Sequence, residues 1–197
     1  MAEPLARVSA FTRLVASPGP DPLTIAECRD RALVTIGGPV ANAGFVSAVR
    51  AAIGAELPRE PGGVVPAGHG WTIALGPAEW LYVAPARDGW AVERDLARAL
   101  GTVGGQAIDV SHGRAVLRLS GAPVRAVLAK GCPIDVSPRG LPPGRAAQTL
   151  FGKVGVLVHA RAADIELYVS RSYADALADG LLAAAREFGV ALAPPAA

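Results

Sequence analysis

Hydrophobic positions along this chain fall into short runs whose spacing switches between the two-residue period of a strand and the longer period of a helix. ALVTI at 32–36 reads as a strand. The ANAGFVSAVRAAIGAEL segment behind it reads as a helix, because Phe45, Val49, Ile53 and Leu57 share one side. Gly44 and Gly54 weaken that helix, so packing must stabilise it. WTIAL at 71–75 and WLYVA at 80–84 are extended candidates joined by GPAE at a hairpin turn. A further helix runs from Trp90 to Leu100, with Val92, Leu96 and Ala99 or Leu100 as its apolar stripe and Glu93, Arg94, Asp95 and Arg98 on its polar side.

AIDV at 107–110 is another strand, and RAVLRLSG alternates cleanly: Ala115, Leu117 and Leu119 point one way, Arg114, Val116 and Arg118 the other. The strand is expected to hide its leucines and display its arginines. A short helix is predicted over 122–130, with Pro123 in its first turn, Val124, Val127 and Leu128 packing inward and Gly131 ending it. CPIDVSPRGLPPG is a tight connection. TLFGKVGVLVHA and DIELYV predict an extended segment with a glycine bend and then a hairpin. SRSYADALADGLLAAAREFG is a helix with Tyr173, Leu177, Leu181, Ala184 and Phe188 near one stripe and Gly189 at its stop. Residues 1–31 show little periodicity beyond LTIAE at 23–27, and SPGPDP reads as a loop. The order strand-helix-strand-strand-helix-strand, followed by a less regular half closed by a helix, predicts an α+β fold with split βαβ (ferredoxin-like) elements. The expected division is an N-terminal arm or edge segment over 1–30, one α+β domain over 31–190 and a flexible tail over 191–197.

Composition narrows the class. The 197 residues suffice for one substantial core, or two small pseudo-domains sharing one, and 23 glycines with 17 prolines force frequent turns. A hydrophobic share of 51% and a formal charge of +2 exclude chain-wide disorder and a strongly basic nucleic-acid-binding surface. Cys28 and Cys132 are too few for a disulfide scaffold and read as free thiols in a reducing compartment. Glu3, Pro4, Arg7 and Arg13 spoil a secretory signal at the start. The two uncharged stretches at 32–49 and 61–78 are broken by glycine and proline, which favours buried elements over membrane spans. The expectation is a cytoplasmic protein without nucleic-acid or membrane partners.

The densest polar cluster is AIDVSHGRAVLRLSG, where Asp109, Ser111 and His112 invite a hydrolase reading. On a strand, however, Asp109 and Ser111 face one side and His112 the other, so a turn-stabilising role for His112 is favoured over a triad. His69, His112 and His159 are dispersed and neither cysteine belongs to a CxxC pair, which disfavours a metal site. Gly37-Gly38-Pro39 follows a strand without either phosphate-loop spacing. Trp80, just after the GPAE turn, can anchor a core, a protein interface or a ligand. Arg114 and Arg118 can pair with a partner's acids or with local carboxylates.

The ordered segments LGPAEWLYVAP, AIDVSHGRAVLRLSG, VLAKGCPIDV, PPGRAAQTLFGKVGVLVH and DIELYVSRSYADALADGLLAAAREFG resemble the gamma subunit of bacterial heterotetrameric sarcosine oxidase, from about Arg31 to Val190. The resemblance implies a fold related to the folate-binding domain of aminomethyltransferases. It also implies a noncatalytic subunit assembled with alpha, beta and delta subunits. The whole complex would demethylate sarcosine oxidatively to glycine, forming hydrogen peroxide and passing the one-carbon unit to tetrahydrofolate. FAD, FMN, NAD, zinc and tetrahydrofolate would belong to the other subunits and none to this chain. Trp80, Asp109, Ser111, His112, Arg114 and Arg118 are then interface or structural candidates, with no catalytic or metal residue assigned. Ser137 and Ala146 stand where related gamma subunits often have histidine and cysteine, which suits a scaffold. A different reading is an independent folate-binding or one-carbon-transfer protein.

Overall fold

A computed structural model describes residues 8–195. Its first strand, β1 (Leu23–Glu27), is followed by β2 (Arg31–Gly37), α1 (Ala43–Ile53), β3 (Val64–Ala67), β4 (Gly70–Gly76), β5 (Glu79–Pro85), α2 (Gly89–Leu100) and β6 (Gln106–Asp109). Then come β7 (Arg114–Ser120), α3 (Val124–Ala129), β8 (Arg145–Phe151), β9 (Val154–Ala160), β10 (Ile165–Ser170), a 3-10 turn (Arg171–Tyr173), α4 (Ala174–Ala185) and β11 (Val190–Leu192). A five-stranded antiparallel sheet has the order β3-β4-β5-β2-β6. A six-stranded sheet has the order β11-β1-β7-β10-β9-β8 and is antiparallel except where β1 meets β11.

The two sheets lie face to face, each with helices on its outer side. Phe45, Val49 and Ile53 of α1 and Val92, Leu96 and Leu100 of α2 pack on Val34, Ile36, Trp80 and Tyr82. Leu128 of α3 and Leu177 and Leu181 of α4 pack on Leu117, Leu119, Val158 and Leu167. A third cluster joins Leu33, Ile73, Leu81 and Val83 of one sheet to Val116, Leu157 and Tyr168 of the other. Each central strand is therefore buried on both faces, which is why so few of them read as half-solvated.

Asn42 caps α1 by accepting from the Gly44 amide, and Gly54 ends it in the left-handed conformation. Where the sheets meet at one edge, the amide of Gly62 donates to Ala74 and its carbonyl accepts from Ala146. Gly62 has φ +73°, and a Cβ there would lie 2.1 Å from the Ala146 carbonyl oxygen, so only glycine fits this crossing.

Several expectations need correction. The display of Arg114 and Arg118 to solvent fails because the second sheet covers that face of β7; Val116 between them is buried. The final helix starts at Ala174, and Tyr173 is exposed, off the buried stripe of Leu177 and Leu181. VVPA at 64–67, within the stretch PREPGGVVPAGHG that reads as a connection, pairs as β3. Within 1–30, β1 is an inner strand with Leu23 and Ile25 fully buried, and Thr12 and Arg13 bind Asp175 and Asp179 on α4. Val190–Leu192 pairs as β11, while residues 1–7 of the expected arm and 196–197 of the expected tail lie outside the described residues.

Candidate functional site

The turn between β6 and β7 is built around Asp109. Its carboxylate accepts from the Ser111 amide at 2.9 Å and from the Ser111 hydroxyl, whose oxygen accepts from the Leu33 amide of β2 at 2.9 Å. Gly89 at the start of α2 lies so close that a Cβ would meet both side-chain oxygens at 2.3 Å. Asp109 and Ser111 thus clip a turn, a strand and a helix together. His112 sits in the turn without a bond to either. With the hydroxyl proton committed to a carboxylate and no base beside it, the trio does not form a nucleophile relay.

The face of β7 read as displayed instead opens on a buried charge network. Arg31 of β2 and Glu166 of β10 form an ion pair of 2.9 Å at 1% and 0% side-chain exposure. Glu166 also pairs with Arg161 at 2.6 Å and Arg118 at 3.4 Å and accepts from the Tyr168 hydroxyl at 2.6 Å. Asp164 lies 3.8 Å from Arg118. The Trp71 indole donates to the Tyr168 oxygen, and the guanidiniums of Arg31 and Arg161 stand 5.5 and 5.0 Å from its ring centre. Burial would raise the Glu166 carboxyl, but Arg31, the Tyr168 hydroxyl and Arg161 together hold it below the ordinary range.

His159 on β9 borders this network, its ring 5.5 Å from that of Trp71. Burial pushes its pKa down from 6.5 to about 4; Glu166 opposes the shift, while Arg161 and Arg31 reinforce it. Between those values the unfolded chain carries a proton on this ring that the folded chain lacks. Stability should therefore fall as pH is lowered through that window, by about 3 kcal/mol over its full span. The depressed Glu166 adds its own loss from its unfolded value of 4.5 downward, at the acid end of the same window, until the folded carboxyl protonates as well. Urea midpoints across the window test this: the slope should largely vanish in His159→Gln, and an equal slope there would contradict it.

Trp80 is 1% exposed, its indole donating to the Pro58 carbonyl at 2.7 Å and its ring 6.0 Å from Phe45. It anchors a core between sheet and helix. Arg118 binds acids of its own chain, whereas Arg114, the first residue of β7, makes no ion pair or side-chain hydrogen bond with a described residue. Sequence reading overlooked Arg31, Glu166, His159 and Trp71 as a unit; the available signal was Glu166, a charge centred in the apolar run DIELYV. Among the described residues no group of three His, Cys, Asp or Glu side chains could hold a metal, and no helix is long and apolar enough to cross a membrane. Cys28 and Cys132 are free and buried.

Two packed sheets with outer helix pairs define an α+β protein of the aminomethyltransferase folate-binding-domain type. Aminomethyltransferase T of the glycine cleavage system from Bartonella henselae superposes with a TM-score of 0.66 over 88% of this chain and 47% of that one, at 17% identity, a likeness of fold alone. The model of the sarcosine oxidase, gamma subunit family matches residues 37–187, and the chain belongs to that family. It is 42% identical over 113 residues to a sarcosine oxidase subunit gamma of Arthrobacter sp., covering 57% of this chain and 55% of the relative. To that of Corynebacterium sp. (strain P-1) it is 37% identical over 120 residues, covering 60% and 58%. The matches thus span a little over half the length of these curated relatives. A chain of the heterotetrameric sarcosine oxidase from Corynebacterium sp. U-96 superposes with a TM-score of 0.77 at 31% identity, covering 86% of both chains.

Proposed function

We propose that this chain is the noncatalytic gamma subunit of a cytoplasmic heterotetrameric sarcosine oxidase, assembled with alpha, beta and delta subunits. The complex would oxidise sarcosine to glycine with hydrogen peroxide formation and one-carbon transfer to tetrahydrofolate. FAD, FMN, NAD, zinc and tetrahydrofolate would be held by the other subunits. The observation that carries this reading is the superposition on a chain of a heterotetrameric sarcosine oxidase over 86% of both lengths. The local chemistry supports it: Asp109 and Ser111 are used to join elements, and Glu166 neutralises buried arginines. Likeness to aminomethyltransferase T is of fold, and a fold does not transfer a ligand site, so the independent folate-binding reading is not favoured.

Co-expression with the three other subunits, followed by size exclusion, tests the proposal. The chain should elute with them as one species. Elution only as a free monomer, at all concentrations, would overturn it.

A further inference from the structure

At one end of the six-stranded sheet a half-open cavity of about 360 Å³ is bordered by the end of β1, the start of β2, the start of β7 and the 3-10 turn after β10. Its chemistry is one-sided. Arg29, Arg31, Arg114, Arg171 and His112 line it, and Glu27 is its acid. Glu27 is already engaged, accepting from the Ala10 amide at 3.0 Å and pairing with Arg29 at 2.6 Å. Arg31 is neutralised from behind by Glu166. Ser111 is committed to Asp109 and Leu33.

That leaves two guanidiniums without an acidic partner among the described residues. Among the described residues the Arg171 guanidinium donates to the Val8 carbonyl alone, at 2.8 Å. The Arg114 guanidinium is partly buried and has no hydrogen-bond partner among the described residues; burial lowers its pKa, and the nearby charge of Glu79 opposes that shift without closing to an ion pair. Their proximity is fixed by the backbone, since Arg114 is in register with Ser170 and the Arg171 amide donates to Gly113 at 2.9 Å. A guanidinium that has lost water and gained no partner is an unmet demand for an oxyanion, because its donor fork matches a carboxylate or phosphate edge. The volume lies in the range of small-ligand sites, and Cys28, Ala115 and Val116 line the cavity with apolar surface.

We propose that this cavity binds a small oxyanion, a compact carboxylate or a phosphate, gripped by Arg114 and Arg171 with His112 as a further donor. Every residue lining the cavity belongs to this chain. Isothermal titration of the full chain in low-salt sulfonate buffer would use inorganic phosphate in one arm and succinate in the other, and the tighter arm identifies the anion. Saturable binding near one site per chain is expected for at least one probe. Arg114→Gln and Arg171→Gln should each weaken it by roughly 10-fold or more, the loss of a hydrogen bond to a charged group. Arg171 is exposed, so its variant decides the matter should Arg114→Gln fail to fold. Absence of saturable binding for both probes, or an affinity unchanged in the folded variants, would overturn the proposal.

Discussion

Glu166→Ala should destabilise the folded chain by about 3–5 kcal/mol, the range for removing one partner of a buried ion pair. The cause is what it leaves behind. Arg31 is sealed between the sheets at 1% exposure, and this carboxylate meets its guanidinium at 2.9 Å. Arg161 and the Tyr168 hydroxyl lose the same acceptor. Burying a cation without its counter-charge costs far more than the intact pair contributes, so the loss measures the orphaned charge. Urea denaturation of Glu166→Ala and of the double variant Arg31→Met with Glu166→Leu separates the two effects. The double variant should recover a large part of the loss, because the buried charges are then removed together. A single-variant change below about 1 kcal/mol would show that Arg31 finds water or another acid when Glu166 is gone.

Trp80→Ala should cost a similar amount, about 3–5 kcal/mol, through the cavity left by a large aromatic in a close-packed core. The side chain fills the space between β5 and α1, against Phe45, and its removal also leaves the Pro58 carbonyl without its donor. Trp80→Phe, which keeps most of the volume and loses the indole hydrogen bond, should cost about 1 kcal/mol. A near-neutral Trp80→Ala in thermal or urea unfolding would contradict this placement. The consequence for assembly experiments is direct: loss of complex in Trp80→Ala would report a damaged subunit, since the indole is enclosed within its own chain.

The strands of the central hairpins and the four helices were legible because each carries its own period: Phe45, Val49 and Ile53 on α1, or Ala115, Leu117 and Leu119 on β7. The period says which residues share a face but not what that face meets. Arg114, Val116 and Arg118 share a face as expected, yet a second sheet lies over it, and that sheet comes from residues distant in sequence. The same reason hid the partnership of Arg31 with Glu166 and the enclosure of His159. The short strands β3 and β11 carry too few residues to show a period, and Pro66 interrupts the first. At the candidate site, alternation set Asp109 and Ser111 opposite His112 on an assumed strand, but β6 ends at Asp109 and both Ser111 and His112 lie in the turn that follows. The pairing of Ser111 with the Leu33 amide depended on β2 docking beside the turn.

Native mass spectrometry of the complex purified through a tagged alpha subunit decides whether this fold serves as a subunit. One copy of the 20.0 kDa chain should be present in each assembly with one beta and one delta subunit. Assemblies of alpha, beta and delta that form in full without the chain, while it remains free in the same extract, would contradict a subunit role.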